Sequence, residues 1–231
     1  MPYYYGFDKT YFLVLIGLIL SMLAQANVSK AFNKYSKIKT QKQITGKQTA
    51  DYILDTRGYD DIKIKQINNA MGDYFNPATK EVALSPQSTS DTSIASVAVA
   101  AHELGHVIQY KEGFTPLRIK SWLVPAVNFG SKISMPLLLL GLFLAKQNLI
   151  DIGIILFSLT LIFQIVTLPV EFDASRRALN ILEESGMLIG EENTYAKSML
   201  KAAAYTYVAA TLTTALQFLR LVLLFGNRNR D

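Results

Sequence analysis

Residues Ala101 to Tyr110, AHELGHVIQY, hold both histidines of the chain, four positions apart, with a glutamate directly after the first. On a helix, positions i and i+4 share a face, so His102 and His106 can reach one metal ion together. Glu103 is turned by about 100° from them. There it can hold a water on the metal rather than the metal itself, which is the place of a general base. Zn²⁺ lowers the pKa of bound water to about 7 and polarises a carbonyl, so this set points to amide hydrolysis. Two histidines scattered at random fall four apart roughly one time in a hundred, and Glu in the second place costs about another factor of thirty. Coincidence, or two histidines merely decorating a helix, is therefore a poor account.

The remaining donors narrow the site. There is no cysteine and no third histidine, so a closing ligand has to be Asp or Glu. A metzincin pattern, which needs a third His soon after the second, is excluded. Glu171 in PVEFDASRRAL (Pro169 to Leu179) is the best third ligand, because it lies at the mouth of a helix returning to the membrane face where the HELGH helix sits; Asp173 is the near alternative. Glu183, Glu184, Glu191 and Glu192 read as solvated faces. Three ligands with an evident base suit one Zn²⁺ ion with a position open to water, whereas a structural site is closed by four protein ligands.

These residues need elements to hold them. Ser90, Asp91 and Thr92 offer N-cap oxygens for the motif helix. Ile94, Val97, Ala98, Ala101, Leu104, Gly105 and Ile108 form its apolar stripe, and Gly113 is placed to end it. Ala100, Ala101 and Gly105 are small where another element must approach the metal. Ahead of it, Thr49 to Gly58 reads as a short helix, Asp61 to Ile67 as a strand, and Gly72 to Pro86 as a hairpin with its turn at Asn76 to Thr79 and its second strand at Glu81 to Ser85. Val82, Ala83 and Leu84 of that strand could add an extended substrate to a sheet edge, or simply belong to a covering hairpin.

With 231 residues, 50% hydrophobic and a mean hydropathy of +0.22, the chain carries its apolar residues in blocks that must meet lipid. Tyr11 to Ala26 reads as an anchor fronted by Tyr3, Tyr4 and Tyr5. A signal peptide fits less well, since no basic residue precedes Lys9 and six lysines follow between Val28 and Ala50 with no acidic residue among them. By the positive-inside rule the polar region up to Lys120 is cytoplasmic, with its charge run solvated or lying on anionic head groups. Trp122 to Ala145 spans but carries Pro125, Asn128, Lys132 and Pro136, so a bent, partly interfacial segment is expected. Leu149 to Leu168 is a clearer span, and Pro169 suits the start of a new helix. Ala202 to Phe225 is the last apolar block, with small residues suited to close packing. Four crossings would place the NRNRD tail outside, against the rule. The net charge of +5 comes without a nucleic-acid motif, and a transporter would need more mid-bilayer polar groups than Asn128, Lys132 and Gln164.

Gly72-Asp73-Tyr74 with Asn76-Pro77, Leu84-Ser85, Ala100 to His106 with Gln109, and Leu168 to Arg177 resemble the YugP-type family of bacterial membrane zinc metallopeptidases over nearly the whole chain. A weaker similarity runs to the HtpX and CAAX prenyl protease type, whose Glu-x-x-Ala-Asp block supplies a third ligand and an orienting Asp. Glu171 and Ala174 match that block, but Ser175 stands at the Asp position, so Asp173 or Ser175 takes the orienting role. The resemblance implies a mainly α membrane protein in the bacterial cell membrane, with about four embedded helices and a small α+β, zincin-like part facing the cytoplasm. The expected divisions are an anchor (1–27), the zincin-like region (28–120), a membrane hairpin (121–168), a cytoplasmic helical segment with the third ligand (169–201) and a last helix with its tail (202–231). The expected activity is zinc endopeptidase on membrane or membrane-proximal proteins. Its partners are a protein or peptide substrate and lipid, with a homo-oligomer or membrane partner compatible. The alternative is a non-catalytic zinc-binding scaffold. Arg176, Arg177, Tyr205 and Tyr207 flank the inner face as oxyanion or substrate contacts, or as interfacial anchors.

Overall fold

The structure is a computed structural model describing residues 8–69 and 72–226. Tyr3, Tyr4, Tyr5 and the NRNRD tail lie outside the described residues. The described chain is mainly helical: α1 (Tyr11–Tyr35), α2 (Gly46–Arg57), α3 (Pro86–Ser90), α4 (Ile94–Lys111), α5 (Thr115–Phe143), α6 (Gln147–Glu184) and α7 (Glu191–Phe225), with three short strands, β1 (Lys63–Gln66), β2 (Tyr74–Asn76) and β3 (Glu81–Leu84). Among the described residues, α1, α5, α6 and α7 are long and apolar enough to cross a membrane.

The chain divides into two compact units, each discontinuous in sequence. One comprises residues 1–24, 119–168 and 206–231, and its regular elements among the described residues are all helices. Its helices approach closely at small residues: Thr213 Oγ1 donates to the Gly17 carbonyl at 2.9 Å, and a Cβ on Gly17 would lie 2.9 Å from the Thr213 methyl. Gly141 against Ile150 and Gly153 against Leu138 are as tight. Phe12, Leu23, Trp122, Phe143, Ile155 and Leu223 are exposed, as lipid-facing side chains would be.

The other unit comprises residues 25–118 and 169–205. Its core gathers Ile53 from α2, Val82 and Leu84 from β3, Ile94, Val97, Leu104 and Ile108 from α4, and Ala178, Leu182, Leu188 and Leu200 from α6, α7 and the turn between them. A capping box starts α2: Thr45 Oγ1 accepts from the Gln48 N–H while the Gln48 side chain accepts from the Thr45 N–H. Gly58 ends it at φ 64°. The sheet order is β1-β3-β2, with β1 parallel and β2 antiparallel to β3.

Three expectations change. Val82, Ala83 and Leu84 form no free edge: β3 is the central strand, hydrogen-bonded on both sides, and all three residues are buried. The motif helix is capped by Ser93, whose Oγ accepts from the Ser96 N–H, while Ser90 closes α3 and Asp91 caps its C-terminus. Pro169 starts nothing: as α5 runs through Pro125 and Pro136, α6 runs through it. The hydrogen bond lost there is outweighed by a buried row one helical turn apart: Val170, Ala174, Ala178 and Leu182.

Candidate metal centre

The centre is built by α4 and the later part of α6, both in the same unit. Gly105 allows them to meet: a Cβ there would lie 2.4 Å from the Ala174 carbonyl oxygen, so no other residue fits without moving backbone. One turn from that contact, the imidazoles of His102 and His106 stand edge to face with centroids 4.8 Å apart. Glu171 projects between them from α6. Its Oε2 is 3.3 Å from His102 Nε2 and 3.5 Å from His106 Nε2, and the carboxylate is almost fully buried. Ligand atoms held about 2.0–2.2 Å from one ion at tetrahedral angles lie roughly 3.3–3.5 Å apart. The donor set and its two spacings to Glu171 therefore suit one zinc ion.

Each imidazole is oriented through its other nitrogen. Gln109, one turn after His106 and fully buried, donates its amide N–H groups to the Val170 carbonyl at 2.8 Å and to Asp173 Oδ2 at 3.0 Å. Its Oε1 therefore faces His106 Nδ1, at 3.0 Å, and must accept. The Nδ1 of His106 then carries the proton and Nε2 presents a lone pair toward Glu171, the tautomer a metal ligand requires. Ser175 Oγ lies 3.2 Å from His102 Nδ1 and serves the same purpose there.

Asp173 does not point between the imidazoles. It accepts from Gln109, Arg176 and Arg177, and Arg177 reaches on to Glu112 at 2.5 Å. Arg176 and Arg177 are thus paired with carboxylates here. Tyr205 lies elsewhere in the unit, with Lys201 5.8 Å from its ring centroid, and Tyr207 falls in the other unit. Gln109 and Glu112 carried no assigned role in the sequence. The i+3 spacing from His106 was a usable signal for Gln109, whereas Glu112 meets Arg177 only across the tertiary fold.

Glu103 lies on the neighbouring face of α4, 8% exposed. Burial pushes its carboxyl up to about 7; His102 pulls it down, Glu171 and Asp73 push it further up, and the Phe75 backbone N–H donates to it. The strand beside the motif's base is thus β2, not β3. A carboxyl with a pKa near neutrality, adjacent to a three-donor cation site, can exchange protons with a water there.

Comparison with known proteins places these residues in context. A family model described as "Putative neutral zinc metallopeptidase" matches residues 10–226. "Putative membrane protease YugP" of Bacillus subtilis (strain 168) is 40% identical over 216 residues, 94% of this chain and 96% of that protein. No solved structure matches.

Proposed function

The chain belongs to the YugP-type family, and on that footing we propose that it is a membrane-integrated zinc endopeptidase that hydrolyses peptide bonds of membrane or membrane-proximal proteins. The observation that carries this reading is the convergence of His102 Nε2, His106 Nε2 and Glu171 Oε2 within 4.8 Å, beside the buried carboxylate of Glu103. Zinc, when bound, polarises the scissile carbonyl and acidifies a water. Glu103 takes the proton of the attacking water and passes it to the departing amine. Gln109 and Ser175 fix the rings of His106 and His102, and Asp173, clamped by Arg177, fixes Gln109.

Charge supports the orientation: six lysines without a carboxylate between Val28 and Ala50 favour the cytoplasmic side for the zincin-like region and its active site. Four crossings then alternate through α1, α5, α6 and α7. Glu171 is three residues past Leu168, where the apolar run of α6 ends, so catalysis takes place close to the head groups and favours substrates held at the membrane.

Substituting Glu103→Gln is expected to abolish cleavage of unfolded casein by the detergent-solubilised protein while zinc remains at one ion per chain. Retained cleavage would remove Glu103 from its role. Zinc without cleavage in the unsubstituted protein, on casein and on membrane substrates alike, would instead support a non-catalytic scaffold.

A further inference from the structure

Away from the metal centre, α1 and α7 enclose a cavity of about 350 Å³ lined by Asn27, Lys30, Lys34, Tyr35, Lys201 and Tyr205 among others, all in the same compact unit. Three lysines from two helices line it, and no acidic residue does. Four other lysines of the unit have carboxylates: Lys39 with Asp91, Lys47 with Asp51, Lys80 and Lys111 with Asp61. Lys30, Lys34 and Lys201 take part in no ion pair among the described residues. Like charges gathered on one cavity repel, and a bound anion is what relieves that repulsion.

Position along the helices says which anion. Lys30 follows Ala26, the end of the apolar run of α1, by four residues, or about 6 Å of helix rise. Lys201 immediately precedes Ala202, the first residue of the apolar block of α7. Both helices therefore bring their lysines to the cavity at the depth where apolar sequence gives way to polar. That is where phospholipid phosphates lie, and Tyr35 and Tyr205 are residues typical of that boundary. Lys34 sits 5.1 Å from the Tyr35 ring centroid and Lys201 5.8 Å from that of Tyr205, which holds the ammonium groups against the wall of the cavity.

We propose that this cavity binds the phosphate head group of an anionic phospholipid of the cytoplasmic leaflet. The choice of leaflet rests on the orientation proposed above; the binding site itself does not depend on proteolysis. Lysines donate to the phosphate oxygens, and Asn27 and the tyrosine hydroxyls offer further polar contacts.

The test is a titration of the delipidated, full-length protein in neutral detergent micelles with dioctanoyl-phosphatidylglycerol, dioctanoyl-phosphatidylcholine and inorganic phosphate, followed by calorimetry. Saturable binding of phosphatidylglycerol, at least about tenfold tighter than phosphatidylcholine, is expected, with loss of at least about tenfold in K30Q/K34Q/K201Q and little change in the control K63Q/K65Q. Zinc content and the thermal melt of each variant, measured in parallel, report whether it is folded. Equal affinity for the two lipids, or a folded triple variant that binds as the unsubstituted protein does, overturns the site. Inorganic phosphate binding as tightly as phosphatidylglycerol overturns its assignment to a lipid. None of these outcomes alters the Glu103→Gln result, so failure here and failure of the peptidase reading remain distinct.

Discussion

A metal ligand works only if its ring is held and its proton is on the correct nitrogen, and in this chain that task falls to residues outside the donor set. Gln109 is the clearest case, because its two donated hydrogen bonds leave its oxygen no choice but to face His106. Gln109→Ala is expected to weaken zinc binding by about 10- to 100-fold in competition with a chromophoric chelator, Glu171→Ala by more, and Asp173→Ala by less than either. Asp173→Ala matching the Glu171→Ala loss would make Asp173 a ligand after all. Glu103 yields a second residue-level prediction, for the metal-free protein. Its folded pKa of about 7 exceeds the 4.5 of an ordinary glutamate, so between those values the folded state binds more protons than the unfolded one. Stability contributed by this group is full below pH 4.5 and lost as pH rises through 7, to a total on the order of 3 kcal/mol. Thermal melts of chelator-treated protein at pH 5 and pH 8 should show this fall, and Glu103→Gln should flatten it; identical pH slopes would refute the burial argument. His102, Glu103, His106 and Glu171 were legible in the sequence because chemistry restricts which residues can serve and helical spacing restricts where. The ties of Arg177 to Asp173 and Glu112 were not, since arginine at a membrane boundary has several equally good uses.

Between residues and elements, the motif helix could be read almost to its ends, and the errors have physical causes. Ser90, Asp91, Thr92 and Ser93 are all competent caps, and the choice of Ser93 is made by the short α3 that consumes Ser90 and ends at Asp91. The unbroken apolar run Val82-Ala83-Leu84 was the available sign that β3 is covered on both faces rather than half exposed. Its parallel pairing with β1, with Lys63 opposite Glu81, leaves no local trace in sequence. Pro169 resembled a helix start because the apolar run stops just before it, yet the buried row from Val170 to Leu182 carries α6 onward. The contact between α4 and α6 makes a sharp prediction. Gly105→Ala raises helix propensity by about 1 kcal/mol, yet the added methyl meets the Ala174 carbonyl oxygen at 2.4 Å, which is backbone and cannot turn aside. Net destabilisation of roughly 1–3 kcal/mol is expected, together with loss of zinc, because the same shift separates Glu171 from the histidines. A variant as stable as the unsubstituted protein, with zinc retained, would mean the helices are not held at this distance.

For the whole molecule, membrane character was plain from composition, and four helices of sufficient length and hydropathy bear it out. The grouping of the chain was harder to see: α1, α5, α6 and α7 each pass from one compact unit to the other near the end of an apolar run, but which separated stretches gather together leaves no local sign in the sequence. Orientation rests on the lysines after α1, and the absence of cysteine allows a direct check. A single introduced thiol is then the sole target for a membrane-impermeant maleimide, and its labelling reports its side of the membrane. Lys65 is exposed on β1, in the region placed in the cytoplasm, and Lys146 is exposed in the turn between α5 and α6, one crossing away. Lys65→Cys should resist labelling in intact cells and react once the membrane is permeabilised, whereas Lys146→Cys should react in both states. The reverse pattern would turn the metal centre to the outside, where the lysines after α1 would contradict the positive-inside rule. Protection of both thiols would remove α5 and the first part of α6 from the set of crossings, leaving them as a hairpin that enters and leaves the bilayer on one side. Because neither site touches the metal centre or the lysine-lined cavity, this labelling tests the topology independently of zinc, lipid and catalysis.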